Sequence, residues 1–327
     1  MSQTISATQR CPRCGNENRG DSFQCSFCGK RLRVESIENI SFFRRLDAEE
    51  WTNPAPFYMK LYWLFRDPPR AFWDINHKRS KAPGFKILLI NALLYGFLGL
   101  AFMSHFQFGL IGPQGTQVSQ FSLIFFSYNM SIFITFFIFG LVFQFIFFSI
   151  LIWLFSKGAN YAVGFSERME ARFGEDEKEE KERYKQAEIS PFSIYKGGVL
   201  LQKQESHKKK MLLCAFAPFL LINTIKILIV LVALPNQTID VGSDTNTIND
   251  TIVSFMTSPQ AAPVWAVLDI LDAITIAVWV PILMTIAIRE LANSSTIRVL
   301  ISSLTIGIIV AIFFYFMRPT LFGAFTS

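Results

Sequence analysis

The stretch FSLIFFSYNMSIFITFFIFGLVFQFIFFSILIWLF, at residues 121–155, decides the fold of this 327-residue chain. It contains no Asp, Glu, Lys or Arg, and it exceeds the ~20 apolar residues that cross a hydrocarbon core of ~30 Å. Four further apolar runs of about the spanning length lie at residues 86–111, 211–234, 264–288 and 297–316. A soluble core cannot bury so much apolar surface. The sequence therefore predicts an all-α integral membrane protein with five transmembrane helices in a lipid bilayer.

The run at residues 121–155 also admits a second interpretation. As one straight helix it measures about 53 Å, so it could instead form a hairpin of two short spans. A hairpin makes six spans and moves every later loop to the opposite side of the membrane. The cation-rich segment 157–210 would then be exported and the cation-free segment 235–263 retained, against the rule that positive loops stay in the cytoplasm. We therefore expect one span, with a tilt or an interfacial lead-in around residues 122–129.

The Lys and Arg residues outside the apolar runs indicate the orientation. They are frequent at residues 60–81 and 157–210, and they are absent from the loops that follow the first and third runs. The connection between the fourth and fifth runs adds Arg289 and Arg298. Because retained positive charge marks the cytoplasmic side, we expect a cytoplasmic N-terminus and an exported C-terminus. The membrane would be the cell membrane in a prokaryote and an endomembrane of ER or Golgi type in a eukaryote.

The N-terminal end carries a metal-binding pattern. CPRCG at residues 11–15 and CSFCG at residues 25–29 are two knuckles separated by ten residues. Tetrahedral Zn²⁺ takes four thiolates, and each knuckle supplies two from one tight turn. The glycine after each second cysteine suits that turn. Four ligands leave no open position, so we expect a structural zinc ribbon; disulfides or a redox pair are the alternatives, which a reducing cytoplasm disfavours. The ligands are Cys11, Cys14, Cys25 and Cys28.

A connector and a charged loop complete the predicted organisation. Aromatic residues at 57–65 alternate with Lys60, which predicts a helix lying in the membrane interface, aromatic side down, or an ordinary packed helix. Asp67-Pro68-Pro69 should end that helix. The mixed-charge tract at residues 166–188 predicts a solvated helix or disorder. The predicted divisions are a ribbon at residues 1–33, a connector at 34–81 and a five-span domain at 82–320 with a charged loop at 157–210.

Three ionisable residues lie inside the apolar runs. Lys226 is in the third run, and Asp269 and Asp272 are in the fourth. Counted from the outer ends at 1.5 Å per residue, the depths of Lys226 and Asp272 match at about 12–13 Å, and the two aspartates share one helix face. We therefore expect a Lys226–Asp272 pair, with Asp269 as the second partner and His105 as a further candidate. The pair either fixes helix register or relays protons or ions.

Four short motifs resemble the Yip domain family, which is named for its Ypt/Rab-interacting members. They are RDPPRAFW at residues 66–73, MLLCAFAP at 211–218, VWVP at 278–281 and AIRE at 287–290. The resemblance implies a cytoplasmic N-terminus, an exported C-terminus and no catalysis. Eukaryotic members bind prenylated small GTPases in vesicle traffic. This chain lacks their Asp-Leu-Tyr-Gly-Pro element and is more similar to prokaryotic members.

The sequence favours three hypotheses for the function. None of them is enzymatic, because the chain has no metalloprotease, nucleophile-elbow or phosphate-loop motif. The favoured one is a membrane scaffold that recruits a cytoplasmic protein, with a small GTPase as a candidate and further copies of the chain as candidate oligomer partners. The second is a transporter or channel built around the intramembrane cluster. The third, least favoured, is a membrane-tethered nucleic-acid-binding ribbon whose phosphate contacts would come from Arg10, Arg13, Arg19, Lys30, Arg31 and Arg33.

Overall fold

The chain is predominantly α-helical in the computed structural model, and five helices are long and apolar enough to cross a membrane. The predicted fold class is confirmed in these terms. Helices suit this environment because all their interior backbone groups are hydrogen-bonded within the segment. The structure describes residues 8–20, 22–25, 27–28, 30–46, 55–77, 82–109, 123–164, 206–240, 254–255, 258–259 and 261–326. The charged tract predicted at residues 166–188 lies outside the described residues.

The five long helices follow two short ones, α1 at Phe57–Arg66 and α2 at Pro68–His77. In chain order they are α3 at Gly84–Met103, α4 at Leu123–Val163, α5 at Ser206–Ala233, α6 at Ala262–Ala292 and α7 at Thr296–Thr326. Helix α4 is one continuous element of 41 residues. The long second run is therefore a single helix, as predicted, and the hairpin alternative is wrong.

Helix α3, the first of the long helices, is shorter than the apolar run predicted for the first span. Helix α3 ends at Met103, where the Ser104 hydroxyl donates to the carbonyl of Ala101 at 2.7 Å. The chain then forms strand β3 at Phe106–Gly109, which pairs in parallel with strand β4 at Gln237–Asp240. The prediction that the first span continues to residue 111 is wrong, because the strand pairing gives these backbone groups partners that a helix would otherwise supply.

Two of the long helices are interrupted near a proline. Helix α5 contains a 3₁₀ turn at Cys214–Phe216, just before Pro218. Helix α6 contains a π-helical segment at Thr275–Trp279, just before Pro281. Proline has no N–H to donate to the preceding turn, and its ring clashes with the carbonyl four residues back. The chain accommodates each proline by changing the local hydrogen-bonding pattern.

Two short helices precede the first long one. Helix α1 covers Phe57–Arg66 and α2 covers Pro68–His77. The predicted stop at Asp67 is correct, and the two prolines that follow begin α2, since proline is favoured in the first turn of a helix. This second helix was not predicted from the sequence.

The polar side of α1 differs from the sequence prediction. Lys60 is buried, and its Nζ lies 3.2 Å from Oδ2 of Asp74, a fully buried carboxylate on α2. Tyr58 and Tyr62, by contrast, are exposed. The expectation that Lys60 lies on the polar face of an interfacial helix is wrong, because a carboxylate on the neighbouring helix draws the ammonium inward. Helix α1 packs on α2, as in the alternative interpretation.

The chain forms two compact units. The first comprises residues 1–85, 149–217 and 278–307. Its core surrounds the second half of α6, where every residue of Val280–Ala292 except Ile282 is buried. Helix α2 and the 3₁₀ turn of α5 pack against this segment, so the first unit is built around one helix that is enclosed on all sides.

The second unit comprises residues 86–148, 218–277 and 308–327. One apolar cluster in it includes Phe106 of β3, Val230 and Leu234 at the end of α5, and Phe255 before α6. Helices α3 and α4 approach closely, since a Cβ at Gly96 or Gly99 would come within 2.7 Å of a ring atom of Phe133 or Phe136. Small residues at such crossings are typical of helix packing in membranes.

Candidate metal centre and intramembrane ion pair

The first knuckle is closed by a short hairpin. Strand β1 at Gln9–Arg10 pairs antiparallel with β2 at Glu17–Asn18. Between them the Gly15 N–H donates to the carbonyl of Cys11 at 2.9 Å. Gly15 has a φ of +71°, a conformation that residues with a Cβ rarely adopt. The predicted role of this glycine is confirmed; its counterpart after Cys28 lies outside the described residues.

The four predicted ligands converge on one point. The Sγ atoms of Cys11 and Cys28 lie 3.6 Å apart, as do those of Cys14 and Cys25, and all four lie within 4.8 Å of one another. Thiolates at ~2.3 Å around a tetrahedral ion are about 3.8 Å apart. The pairs are too far apart for disulfides, in which the sulfurs are ~2.05 Å apart. These residues can therefore hold a metal ion with a complete set of four ligands.

The thiols are electrostatically unequal. Desolvation raises the pKa of Cys11, but hydrogen bonds from the backbone of Cys14 and Arg13 and from neighbouring thiols outweigh it and lower the pKa to about 6. Desolvation and the neighbouring thiols raise the pKa of Cys28 to about 12. One proton therefore leaves readily and another is held tightly. A cation among the sulfurs stabilises all four thiolates and displaces the protons of the thiols. Metal affinity therefore falls as the pH falls, because protons compete with the metal for the sulfurs.

The metal centre is attached directly to the turn between α6 and α7. Gln24 precedes the ligand Cys25, and its backbone N–H donates to Oδ1 of Asn293 at 2.9 Å. The Nδ2 group of Asn293 donates back to the carbonyl of Gln24 at 2.7 Å. Asn293 ends α6 in the left-handed conformation, with a φ of 50°, which asparagine tolerates better than most residues. The Asn293 side-chain amide thus exchanges two hydrogen bonds with the backbone of Gln24, as a neighbouring strand would, at the residue before Cys25.

The segment that leaves the ribbon caps α7. One carboxylate oxygen of Glu35 accepts from the backbone N–H groups of Thr296 at 2.7 Å and Ile297 at 3.3 Å. The other accepts from the Ser295 hydroxyl at 2.5 Å. A negative charge at a helix N-terminus satisfies unpaired N–H groups and interacts favourably with the helix dipole. A residue 261 positions away in sequence therefore defines the start of α7.

Arg45 connects the same segment to the turn. It is almost fully buried, and its Nε lies 2.5 Å from Oε1 of the buried Glu38. Its Nη2 donates to the carbonyl of Ser294, and its guanidinium lies 4.7 Å from the centre of the Phe23 ring. The buried guanidinium of Arg45 therefore connects the ribbon, the segment that follows the ribbon and the turn between α6 and α7.

Arg289 completes this buried network from α6. It is 0% exposed and donates to the backbone carbonyls of Phe43 and of Arg44, the latter at 2.7 Å. Its Nε lies 3.6 Å from a carboxylate oxygen of Glu290. The prediction that Arg289 belongs to the connection between the fourth and fifth runs is wrong, since α6 continues to Ala292 and Arg289 is buried in its last turn. Two arginines and two glutamates, Arg45, Arg289, Glu38 and Glu290, balance in charge inside the first unit.

Sequence reasoning missed most of this network. Its members on the N-terminal side, Glu35, Glu38 and Arg45, lie in the connector and have no pattern that marks them as buried. The one usable signal was Arg289-Glu290 at the end of an apolar run, where charge is expensive.

The second unit contains the predicted intramembrane pair. Lys226 on α5 is buried, and its Nζ forms an ion pair with Oδ2 of Asp272 on α6. Asp269 lies one turn before Asp272 on the same helix and is half-buried. The structure thus brings two of the three cluster residues into direct contact, with the third on the same face of α6.

His105 does not join this cluster. It follows the end of α3, and its Nδ1 lies 3.0 Å from Oδ1 of Asn236, at the base of the β3–β4 pair. The expectation that His105 contributes to the Lys226 site is wrong, because α3 ends before it and the chain turns toward β4.

We expect Lys226→Ala to destabilise the protein by about 3 kcal/mol, because it leaves the Asp272 carboxylate, which is only partly exposed, without its counter-charge inside an apolar helix. The double variant Lys226→Ala/Asp272→Ala should lose less than Lys226→Ala alone. The measurement is SDS-induced unfolding of the purified protein, with Thr224→Ala, an exposed position on the same helix, as control. Losses that simply add up would contradict the pairing.

Comparison with known protein families, with curated proteins and with solved structures finds no match to this chain. The resemblance to the Yip domain family therefore stays a prediction from short motifs.

Proposed function

We propose that this protein is a non-enzymatic membrane scaffold whose zinc-binding ribbon recruits a cytoplasmic protein. The observation that carries the proposal is the attachment of the ribbon to the turn between α6 and α7. A domain on a flexible linker needs no such contacts, whereas a docking platform benefits from a fixed position because less entropy is lost on binding. Gln24, Glu35 and Arg45 supply that attachment.

Zinc is the proposed metal because four thiolates in tetrahedral spacing suit it best among common cellular ions. The cytoplasmic side is proposed from the distribution of Lys and Arg around the spans. On the proposed cytoplasmic side, soluble proteins could reach the ribbon. A site with four protein ligands has no open position, so the metal's role here is to hold the ribbon in shape.

The proposed contact surface lies on the second knuckle. Phe27, between the ligands Cys25 and Cys28, is 80% exposed. A large exposed aromatic side chain on a rigid turn is a typical anchor for a protein interface. The resemblance to the Yip family adds a small GTPase as the candidate partner.

A nucleic-acid partner receives less support. Arg10 pairs with Glu17 at 3.2 Å, and Arg31 donates to the carbonyl of Arg45. Phe23, which with Phe27 would be the candidate for stacking on bases, lies against the Arg45 guanidinium. Three of the groups that would contact phosphates or bases therefore already have protein partners.

The test is affinity capture with the zinc-loaded full-length protein in detergent, quantified by mass spectrometry with GDP or a GTP analogue present. We expect a specific cytoplasmic protein whose recovery falls at least tenfold with Cys11→Ser/Cys14→Ser and with Phe27→Ala. Glu17→Gln, an exposed change elsewhere on the ribbon, is the matched control and should leave recovery unchanged. A GTPase partner should also show nucleotide-dependent recovery.

The proposal fails if every captured protein is recovered equally with the wild type and with both ribbon variants. Binding of RNA or DNA that weakens steeply with salt would instead support the nucleic-acid alternative.

A further inference from the structure

The first unit presents a stripe of aromatic and basic side chains on helix α1 and the start of α2. Tyr58, Tyr62 and Arg66 are spaced four residues apart, which places them on one face of α1, and all three are exposed. Arg70, in the first turn of α2, is also exposed, and its guanidinium lies 4.4 Å from the centre of the Trp63 ring on α1. The tyrosines and the two arginines form what we call the α1–α2 stripe. The other side of α1 packs on α2.

The stripe lies where α6 loses its exposed apolar side chains. The ring of Phe65, on α1, packs edge-on at 6.0 Å from the ring of Trp279 on α6. Large exposed apolar side chains occur on α6 as far as Val278, and every residue of Val280–Ala292 except Ile282 is buried. Exposed apolar side chains on a membrane helix contact lipid tails. The end of α1 is therefore level with the edge of the lipid-facing part of α6.

Two more cations of the first unit lie over exposed aromatic rings. On α4 the Nζ of Lys157 lies 4.9 Å from the centre of the Trp153 ring. At the start of α5 the Nζ of Lys210 lies 5.8 Å from the centre of the Phe85 ring. Both rings are exposed. Aromatic rings and long basic side chains are enriched together at membrane interfaces, where the ring meets the acyl chains and the cation reaches the headgroups.

The exposed charges on this part of the first unit have one sign. From residue 55 onward its described segments contain three acidic residues. Asp67 pairs with Arg44 at 2.9 Å, and Asp74 and Glu290 are buried. The exposed basic residues of the same segments are Arg66, Arg70, Lys157, Lys209 and Arg298. This surface therefore attracts anions.

The distribution of these cations favours lipid over a soluble anion. The five exposed basic residues belong to five different helices, α1, α2, α4, α5 and α7. A soluble phosphate binds where several donors converge on one point, whereas lipid headgroups lie side by side around a membrane protein. Basic residues next to membrane spans attract anionic lipids. The neighbouring tyrosines and tryptophan suit the same boundary.

We propose that the α1–α2 stripe, together with Lys157 on α4, binds the headgroups of anionic phospholipids. The planar guanidinium groups of Arg66 and Arg70 can each donate two hydrogen bonds to phosphate oxygens. The tyrosine rings lie at the boundary with the acyl chains, and their hydroxyls face the headgroups. This surface is separate from the ribbon and does not depend on the scaffold function.

The experiment is native mass spectrometry of the purified full-length protein in detergent with equal amounts of phosphatidylglycerol and phosphatidylcholine. We expect the wild type to retain at least tenfold more phosphatidylglycerol. Arg66→Gln/Arg70→Gln should lower that ratio at least fivefold, and Lys157→Gln at least twofold, since each cation near an anionic surface changes affinity by about fivefold. The matched control is Arg10→Gln/Arg13→Gln, which removes the same charge from exposed ribbon positions and should leave the ratio within twofold of wild type.

The substituted side chains are all exposed, so the variants should fold, and their unfolding temperatures are measured first. Equal retention of the two lipids by the wild type overturns the proposal. So does a ratio that the helix variants leave unchanged, or that the ribbon control lowers by as much. Displacement of phosphatidylglycerol by millimolar inorganic phosphate would identify a soluble phosphate as the ligand and also overturn it.

Discussion

Removing zinc from the zinc-loaded protein is expected to unfold the ribbon and to release its contacts with the turn between α6 and α7. A segment of about 33 residues has almost no core of its own, so metal binding supplies its folding free energy, about 10–16 kcal/mol in comparable zinc-finger peptides. Amide exchange at Gln24 should accelerate by ~100-fold or more. Amide exchange at Thr296 should also accelerate, because its N–H donates to Glu35, which lies in the segment that follows the ribbon.

The measurement is hydrogen exchange by mass spectrometry, with and without a chelator, together with metal analysis. Cys11→Ser/Cys14→Ser should reproduce the effect of the chelator. Cys214→Ser is the matched control, since Cys214 is buried in α5 and donates to the carbonyl of Lys210, remote from the four ligands in sequence. It should retain one metal ion per chain. Unchanged exchange at Gln24 after complete metal loss would show that the ribbon does not need the metal.

Replacing Arg45 with alanine is expected to cost about 3–5 kcal/mol, which makes it one of the most damaging single changes outside the metal centre. The substitution leaves the buried Glu38 carboxylate without its counter-charge, and such loss is far costlier than the net contribution of the pair. It also leaves the carbonyl of Ser294 without its donor. The double variant Arg45→Met/Glu38→Leu should lose less stability than Arg45→Ala.

The neighbouring residue provides the matched control. Arg44 pairs with Asp67 at 2.9 Å, but the two side chains are 42% and 22% exposed. Exposed pairs contribute about 0–1 kcal/mol, so Arg44→Ala should have little effect on SDS-induced or thermal unfolding. Equal losses for Arg44→Ala and Arg45→Ala would contradict the assignment of Arg45 to a buried, structure-determining network.

The prolines show that a local rule can predict where a helix is disturbed without predicting the form of the disturbance. Asp67-Pro68-Pro69 ends α1 as the sequence predicts, because proline removes a donor that the next helical turn needs. The same rule applied to Pro281 predicts an irregularity in α6 but not its form. The chain forms a π-helical segment at Thr275–Trp279, and the rule does not distinguish this form from a kink or a break.

Charged residues show where sequence reasoning ends. Lys226 and Asp272 were predictable as a pair, because both lie in apolar runs and the membrane fixes their depths. Lys60 and Arg289 were not, because Lys60 lies in the connector and Arg289 near the end of α6, where a charge is compatible with either solvent or a buried partner. Their partners, Asp74 and the carbonyl groups of Phe43 and Arg44, come from other elements.

The sequence by itself determined the apolar helices long enough to span a membrane and the four cysteines that can hold a metal ion. Both follow from local constraints: crossing a bilayer takes about 20 consecutive apolar residues, and two Cys-x-x-Cys knuckles supply four thiols. Tertiary structure alone decided that the ribbon is fixed to the α6–α7 turn and that Asn91 meets Asn223. These contacts join residues 132 to 269 positions apart, and no local pattern specifies which distant polar groups will satisfy one another. Their pairing follows from the packing that encloses them, since a buried polar group must find its partner within the folded chain.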